Sequence, residues 1–120
     1  MGTHRTERLQ EEIRHLVSEI LLYEVTDPLI HGVTVTRVLL TKDIGLARIY
    51  YNAHGTAKER KSLQQGLDRA RAFVRRQVAP KLNLKIMPQI EFFYDETEDE
   101  VSRVDLLFME MDKNKGAAKD

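Results

Sequence analysis

Four arginines stand close together at Arg69, Arg71, Arg75 and Arg76, and two lysines, Lys58 and Lys61, precede them in the same segment. A guanidinium offers a planar fork of donors and an ammonium a mobile point charge, so a row of both on a rigid support suits recognition of phosphate oxygens. On an ideal wheel of about 100° per residue, Lys58, Arg69 and Arg76 fall roughly opposite the apolar stripe Leu63, Leu67, Ala70 and Val74, with Lys61 and Arg75 at their flanks. These five charges are expected to point outward together, and Lys81 and Lys85 extend the patch beyond the helix. A merely solvated helix face has the same pattern, so spacing alone leaves phosphate binding and plain surface both open.

Other chemistries find less support. The chain has no cysteine, which removes thiolate metal sites, thiol nucleophiles and disulfides and fits a reducing compartment. His15 and Glu19 lie one helical turn apart, but two ligands without a third make a weak metal site, and an exposed pair is the simpler reading. The acidic run Asp95 to Glu100 lacks the alternating ligands and the glycine of a calcium loop, and acidic residues at a helix start already have a reason in the helix dipole. No Ser/His/Asp set and no phosphate-cradling glycine loop is present. The residues point to a binding protein rather than an enzyme, with no cofactor called for.

The elements that must position the basic residues can be read from periodicity. Leu9, Ile13, Leu16, Val17, Ile20 and Leu21 recur at spacings of three and four, which predicts a first helix over Arg8–Tyr23, ended before the Asp27-Pro28 turn. Val33–Lys42 and Leu46–Ala53 read as a hairpin closed by Lys42-Asp43-Ile44-Gly45, with Ala47, Ile49 and Tyr51 on one face and Arg48, Tyr50 and Asn52 on the other. Thr56-Ala57-Lys58-Glu59 has the form of a capping box opening a second helix that reaches Ala79, and Ile90–Asp95 reads as a third strand. A second capping box at Thr97–Glu100 predicts a C-terminal helix with Val101, Val104, Leu107 and Phe108 inward. The order is α-β-β-α-β plus a C-terminal helix: an α+β fold with helices on one face of the sheet, one domain over residues 1–111, and a polar, disordered tail at 112–120.

The net charge of zero hides a dipolar chain. Lys58 to Lys85 holds nine basic and two acidic residues, whereas Ile90 to Asp120 holds four basic and ten acidic. The basic block tilts the reading toward nucleic acid, and the acidic C-terminal helix supplies the alternative of a protein-interaction module. No apolar run approaches the ~18 residues of a membrane span, and the polar start has no signal-like apolar region, so a soluble cytoplasmic monomer is expected.

This order of elements resembles a type II KH domain, a fold that binds single-stranded RNA and grips its backbone with a GxxG loop. No two glycines here lie three apart, and the corresponding stretch reads Gly66-Leu67-Asp68-Arg69-Ala70-Arg71-Ala72-Phe73. A helix in that place, together with Thr26-Asp27-Pro28-Leu29-Ile30, Val33-Thr34-Val35-Thr36-Arg37-Val38, Thr41-Lys42-Asp43, Leu82-Asn83-Leu84-Lys85-Ile86-Met87-Pro88 and Ile90-Glu91-Phe92-Phe93-Tyr94-Asp95, resembles the bacterial ribosome-binding factor A family from about Arg5 to Met109. That family carries a kinked Ala-x-Gly helix. Here the motif is Ala70-Arg71-Ala72, and alanine favours helix over glycine by ~1 kcal/mol, so a shallower kink or none is expected.

The resemblance implies binding to small-subunit ribosomal RNA on immature particles during late maturation and 5′-end processing, then release. The RNA contacts it implies are first Arg69, Arg71, Arg75 and Arg76, then Arg5 and Arg8 at the start and Lys81 and Lys85 later. A general single-stranded RNA-binding role is the nearest variant. Tyr50 and Tyr51, with Phe92-Phe93-Tyr94, could offer stacking surfaces, although strand aromatics more often serve core or cross-strand packing.

Overall fold

A computed structural model of the chain describes residues 2–97. Its elements are helix α1 (Gly2–Tyr23), strands β1 (Thr34–Leu40) and β2 (Leu46–Asn52), helix α2 (Ala57–Val78), a single 3-10 turn (Ala79–Lys81) and strand β3 (Gln89–Tyr94). The α-β-β-α-β order is the expected one. The C-terminal helix, with Val101, Val104, Leu107 and Phe108, and the tail at 112–120 lie outside the described residues.

α1 begins at Gly2, a turn and a half before the predicted start. Its early turns carry little apolar surface, and the middle of the helix carries an exposed local pair in which Arg14 Nε donates to Glu11 Oε2 at 2.9 Å. The Arg14 hydrogen bond also holds the Glu11 carboxyl below its ordinary range. Farther along, Ile13, Val17, Ile20 and Leu21 are buried in one stripe. After the helix, the Asp27 carboxylate accepts from the Leu29 amide at 2.9 Å and folds the chain so that Ile30 enters the core.

The sheet order is β1-β2-β3, antiparallel between the first pair and parallel between the second. A parallel neighbour needs a long crossover, and α2 supplies it. In the hairpin turn the left-handed residue is Ile44, with φ 57°, rather than the glycine beside it. Asp43 stabilises that turn by accepting from the Gly45 amide at 3.0 Å and the Thr41 hydroxyl at 2.7 Å. A bulge at Thr36 separates the Val35↔Tyr51 and Arg37↔Tyr50 pairs, so Val35 and Val38 both face inward.

The core lies between this inner sheet face and the two helices. Val35, Val38, Ala47, Ile49, Tyr51, Ile90 and Phe92 meet Leu63, Leu67, Val74 and Val78 of α2 and the stripe of α1. α2 opens on the predicted capping box, with Glu59 N donating to Thr56 Oγ1 and Thr56 N to Glu59 Oε1, both at 3.2 Å. It then runs unbroken through Ala70-Arg71-Ala72, as expected of alanine at both positions. Gly66, the one glycine in that region, serves close packing: a Cβ there would stand 3.2 Å from Ile30 Cγ1 and 3.5 Å from Leu29 Cβ. No helix among the described residues covers the opposite sheet face.

Candidate nucleic-acid interface

The second half of α2 runs beside β3, which is an edge strand of the sheet among the described residues. Between them lies an open groove of about 560 Å³, lined on the helix by Arg69, Arg71, Ala72, Arg75 and Arg76 and on the strand by Ile90 and Glu91. The structure thus brings together the four arginines that carried the sequence argument. Asp68 and Glu91 are the acidic members of the lining, so the groove keeps a positive balance.

The four arginines differ in what already holds them. Arg69 Nη2 lies 3.1 Å from Asp27 Oδ2 and remains more than half exposed. The Leu29 amide first, and Arg69 second, hold the Asp27 carboxyl below its ordinary range. A pair this exposed contributes ~0–1 kcal/mol, so its main effect is orientation. Arg75 is only partly exposed: its Nε donates to the Pro88 carbonyl at 3.0 Å and its Nη2 to the Met87 carbonyl at 2.6 Å. This corrects the expectation of an outward Arg75. The connection after the 3-10 turn brings two backbone carbonyls beside it, and a long guanidinium satisfies both. Arg71 and Arg76 are exposed, and neither makes a hydrogen bond or ion pair among the described residues.

The remaining basic candidates stand apart. Lys58, Lys61, Lys81, Lys85, Arg5 and Arg8 are all exposed, but none lines the groove. Lys58 faces a separate hollow with His31 and His54 at the start of α2. The two alanines have different surroundings: Ala70 is half-buried beside Thr26 and Asp27, whereas Ala72 is exposed in the groove wall, where a larger side chain would narrow it. His15 Nε2 and Glu19 Oε1, 3.0 Å apart, form an exposed pair, and the described residues contain no group of three potential metal ligands.

The strand aromatics divide by face. Tyr51 and Phe92 are buried in the core. The Tyr51 hydroxyl donates to Gln64 Oε1, burial pushes it up to about 12, and Gln64 Nε2 in turn donates to the Phe92 carbonyl at 2.9 Å. Tyr94 meets Tyr51 edge-on with ring centres 5.7 Å apart. Tyr50 and Phe93 point the other way, onto the face that no helix among the described residues covers.

One group was missed in the sequence. Asp95, 6% exposed, closes the far end of β3. Its amide donates to the Tyr51 carbonyl at 2.7 Å; its carboxylate accepts from the Thr36 hydroxyl at 2.6 Å and the Thr97 amide at 3.0 Å, with Arg37 Nε at 3.5 Å. The Thr36 hydrogen bond, ahead of the Thr97 amide and Arg37, keeps the carboxyl low despite its burial. The bulge frees Thr36 from the ladder, and its hydroxyl turns to this site.

Residues 5–108 match the family model described as ribosome-binding factor A. A ribosome-binding factor A of Geobacter sulfurreducens is 37% identical over 114 residues, covering 95% of this chain and 97% of that protein. The solution structure of a candidate ribosome binding factor A from Thermotoga maritima superposes with a TM-score of 0.70 at 37% identity, covering 78% of this chain and 89% of that one. A Thermus thermophilus ribosome binding factor A, a homology model fitted into a cryo-EM map of its complex with the 30S subunit, has the same fold. Its TM-score is 0.62 at 21% identity, with 75% of this chain and 94% of that one covered.

Proposed function

This chain belongs to the ribosome-binding factor A family, and on that premise we propose that it binds small-subunit ribosomal RNA on immature particles, with the groove between α2 and β3 as its RNA-facing surface. The observation that carries this reading is the convergence of Arg69, Arg71, Arg75 and Arg76 on one groove at an open strand edge. Arg71 and Arg76 have no competing partner among the described residues and take the phosphate contacts; Arg75 holds the strand connection beside them, and Arg69 is steadied by Asp27. Arginine forks carried on a rigid helix recognise backbone phosphate without reading sequence. The Thermus thermophilus relative was fitted into a complex with the 30S subunit, which supports the same partner here.

In this reading the protein acts as a cytoplasmic monomer during late maturation, near the 5′ end of the small-subunit RNA. It works by binding and release, without a catalytic step. Sedimentation with purified particles tests the partner. Immature small subunits should retain the protein more strongly than mature ones, and large subunits should not retain it. Equal retention by large and small subunits would remove the small-subunit assignment. Retention that survives stripping of the RNA-facing arginines, but not truncation before Glu98, would favour an interaction module in the acidic C-terminal segment.

A further inference from the structure

The sheet face opposite the helices carries two cross-strand rows. In the first, Arg37, Tyr50 and Phe93 are direct register neighbours on β1, β2 and β3; in the second, Leu39, Arg48 and Glu91 are. The Arg37 guanidinium carbon stands 4.2 Å from the centre of the Tyr50 ring, and the Tyr50 and Phe93 rings are 5.7 Å apart, tilted by 32°. Phe93 is 37% exposed and Leu39 39%. Arg37 covers Tyr50, which leaves Phe93, at the open edge, as the accessible ring. Arg48 is exposed and, although in register with Glu91, makes no hydrogen bond or ion pair among the described residues.

We infer that this face, which no described helix covers, is a stacking platform for unpaired RNA bases, with Phe93 as the ring on which a base lies, Tyr50 behind it under Arg37, and Arg48 meeting the flanking phosphate. The inference rests on the RNA-binding reading above. Cross-strand packing accounts for Tyr50 and Phe93 touching, but it accounts for neither an unengaged Arg48 nor an open ring at the sheet edge. A protein partner would look for a continuous apolar patch. Here the exposed apolar groups are few and two arginines stand among them, a mixture that suits a strand carrying both aromatic faces and negative charge. Sheets that bind single-stranded RNA use this division of labour, with ring faces for bases and cations for the backbone. The two surfaces are also continuous, because Glu91 both lines the α2 groove and stands in the outer row beside Arg48. A strand leaving the groove needs only to cross β3 to reach Phe93.

The test uses the full chain and a labelled single-stranded RNA of about twelve nucleotides, alongside the same backbone with abasic riboses. Phe93→Leu keeps apolar bulk but removes the ring, and Phe93→Tyr keeps the ring; thermal unfolding verifies that both are folded. Phe93→Leu should weaken binding of the base-containing RNA by roughly tenfold, within the range for one stacked base, without changing the salt dependence. It should leave abasic binding as it is, and Phe93→Tyr should bind like the parent. If Phe93→Leu binds like the parent while Arg71→Gln with Arg76→Gln loses affinity, the platform is refuted and the groove reading stands. Equal losses on intact and abasic RNA would refute stacking as well. A parent protein that binds neither RNA overturns both readings.

Discussion

Asp95 offers the sharpest test of how the sheet is closed. Asp95→Asn keeps the shape of the side chain and removes its charge, so the Thr36 hydroxyl, the Thr97 amide and Arg37 lose a carboxylate partner. The Thr36 bond dominates, at 2.6 Å to a carboxyl that is 6% exposed, while Arg37 is half exposed and screened. Hydrogen bonds to a charged group contribute ~1.5–3 kcal/mol, and the asparagine retains part of that, so the expected loss is about 1–2 kcal/mol. In a domain of this size it corresponds to roughly 4–8 °C in Tm. The Asp95 carboxyl is held below its unfolded value, so its contribution is present above that value, ~3.9, and lost as pH falls through the folded one. Urea unfolding should therefore separate parent and Asp95→Asn at pH 7 and bring them together on the acid side of about pH 4. Equal stability at pH 7, or a gap that persists unchanged into acid, would refute the proposed role of this carboxylate.

Three further outcomes follow from the packing around α2. Gly66→Val should destabilise the fold by about 1–3 kcal/mol, because even a single added carbon would stand 3.2 Å from Ile30 Cγ1, closer than ordinary contact; urea unfolding measures it. Arg75→Gln should lose about 1.5–3 kcal/mol through the Met87 and Pro88 carbonyls, measured in the same way. Arg71→Gln, by contrast, should change stability by less than ~0.5 kcal/mol, so the two arginines separate by thermal unfolding alone before any RNA is added.

Features with local causes were legible in the sequence. The Thr56/Glu59 capping box, the stripe of α1, the inward set Ala47, Ile49 and Tyr51, and the order of elements all follow from spacing within one segment. The same alternation, carried one residue further, separates Tyr50 from Tyr51 and places it on the outer face. Partners brought together by the tertiary fold were not legible. Thr36 and Asp95 are 59 residues apart in the chain, and nothing local marks a bulge between Val35 and Arg37. A helical wheel places Arg75 at the edge of the charged face, but it cannot show the Met87 and Pro88 carbonyls that turn it inward. The left-handed residue of the hairpin is equally unmarked in the sequence: it is Ile44, not the neighbouring Gly45, and its amide donates to the Thr41 carbonyl at 2.9 Å.

The central claim is that the groove between α2 and β3 neutralises RNA phosphates through Arg71 and Arg76. The most direct measurement is the affinity of the folded parent and of the Arg71→Gln, Arg76→Gln double variant for immature small subunits across a series of salt concentrations. Each phosphate neutralised on a single strand contributes about −0.7 to the log-log slope, so the double variant should bind more weakly with a slope flatter by about 1.4. A double variant that binds as tightly as the parent, with the same slope, would contradict the claim.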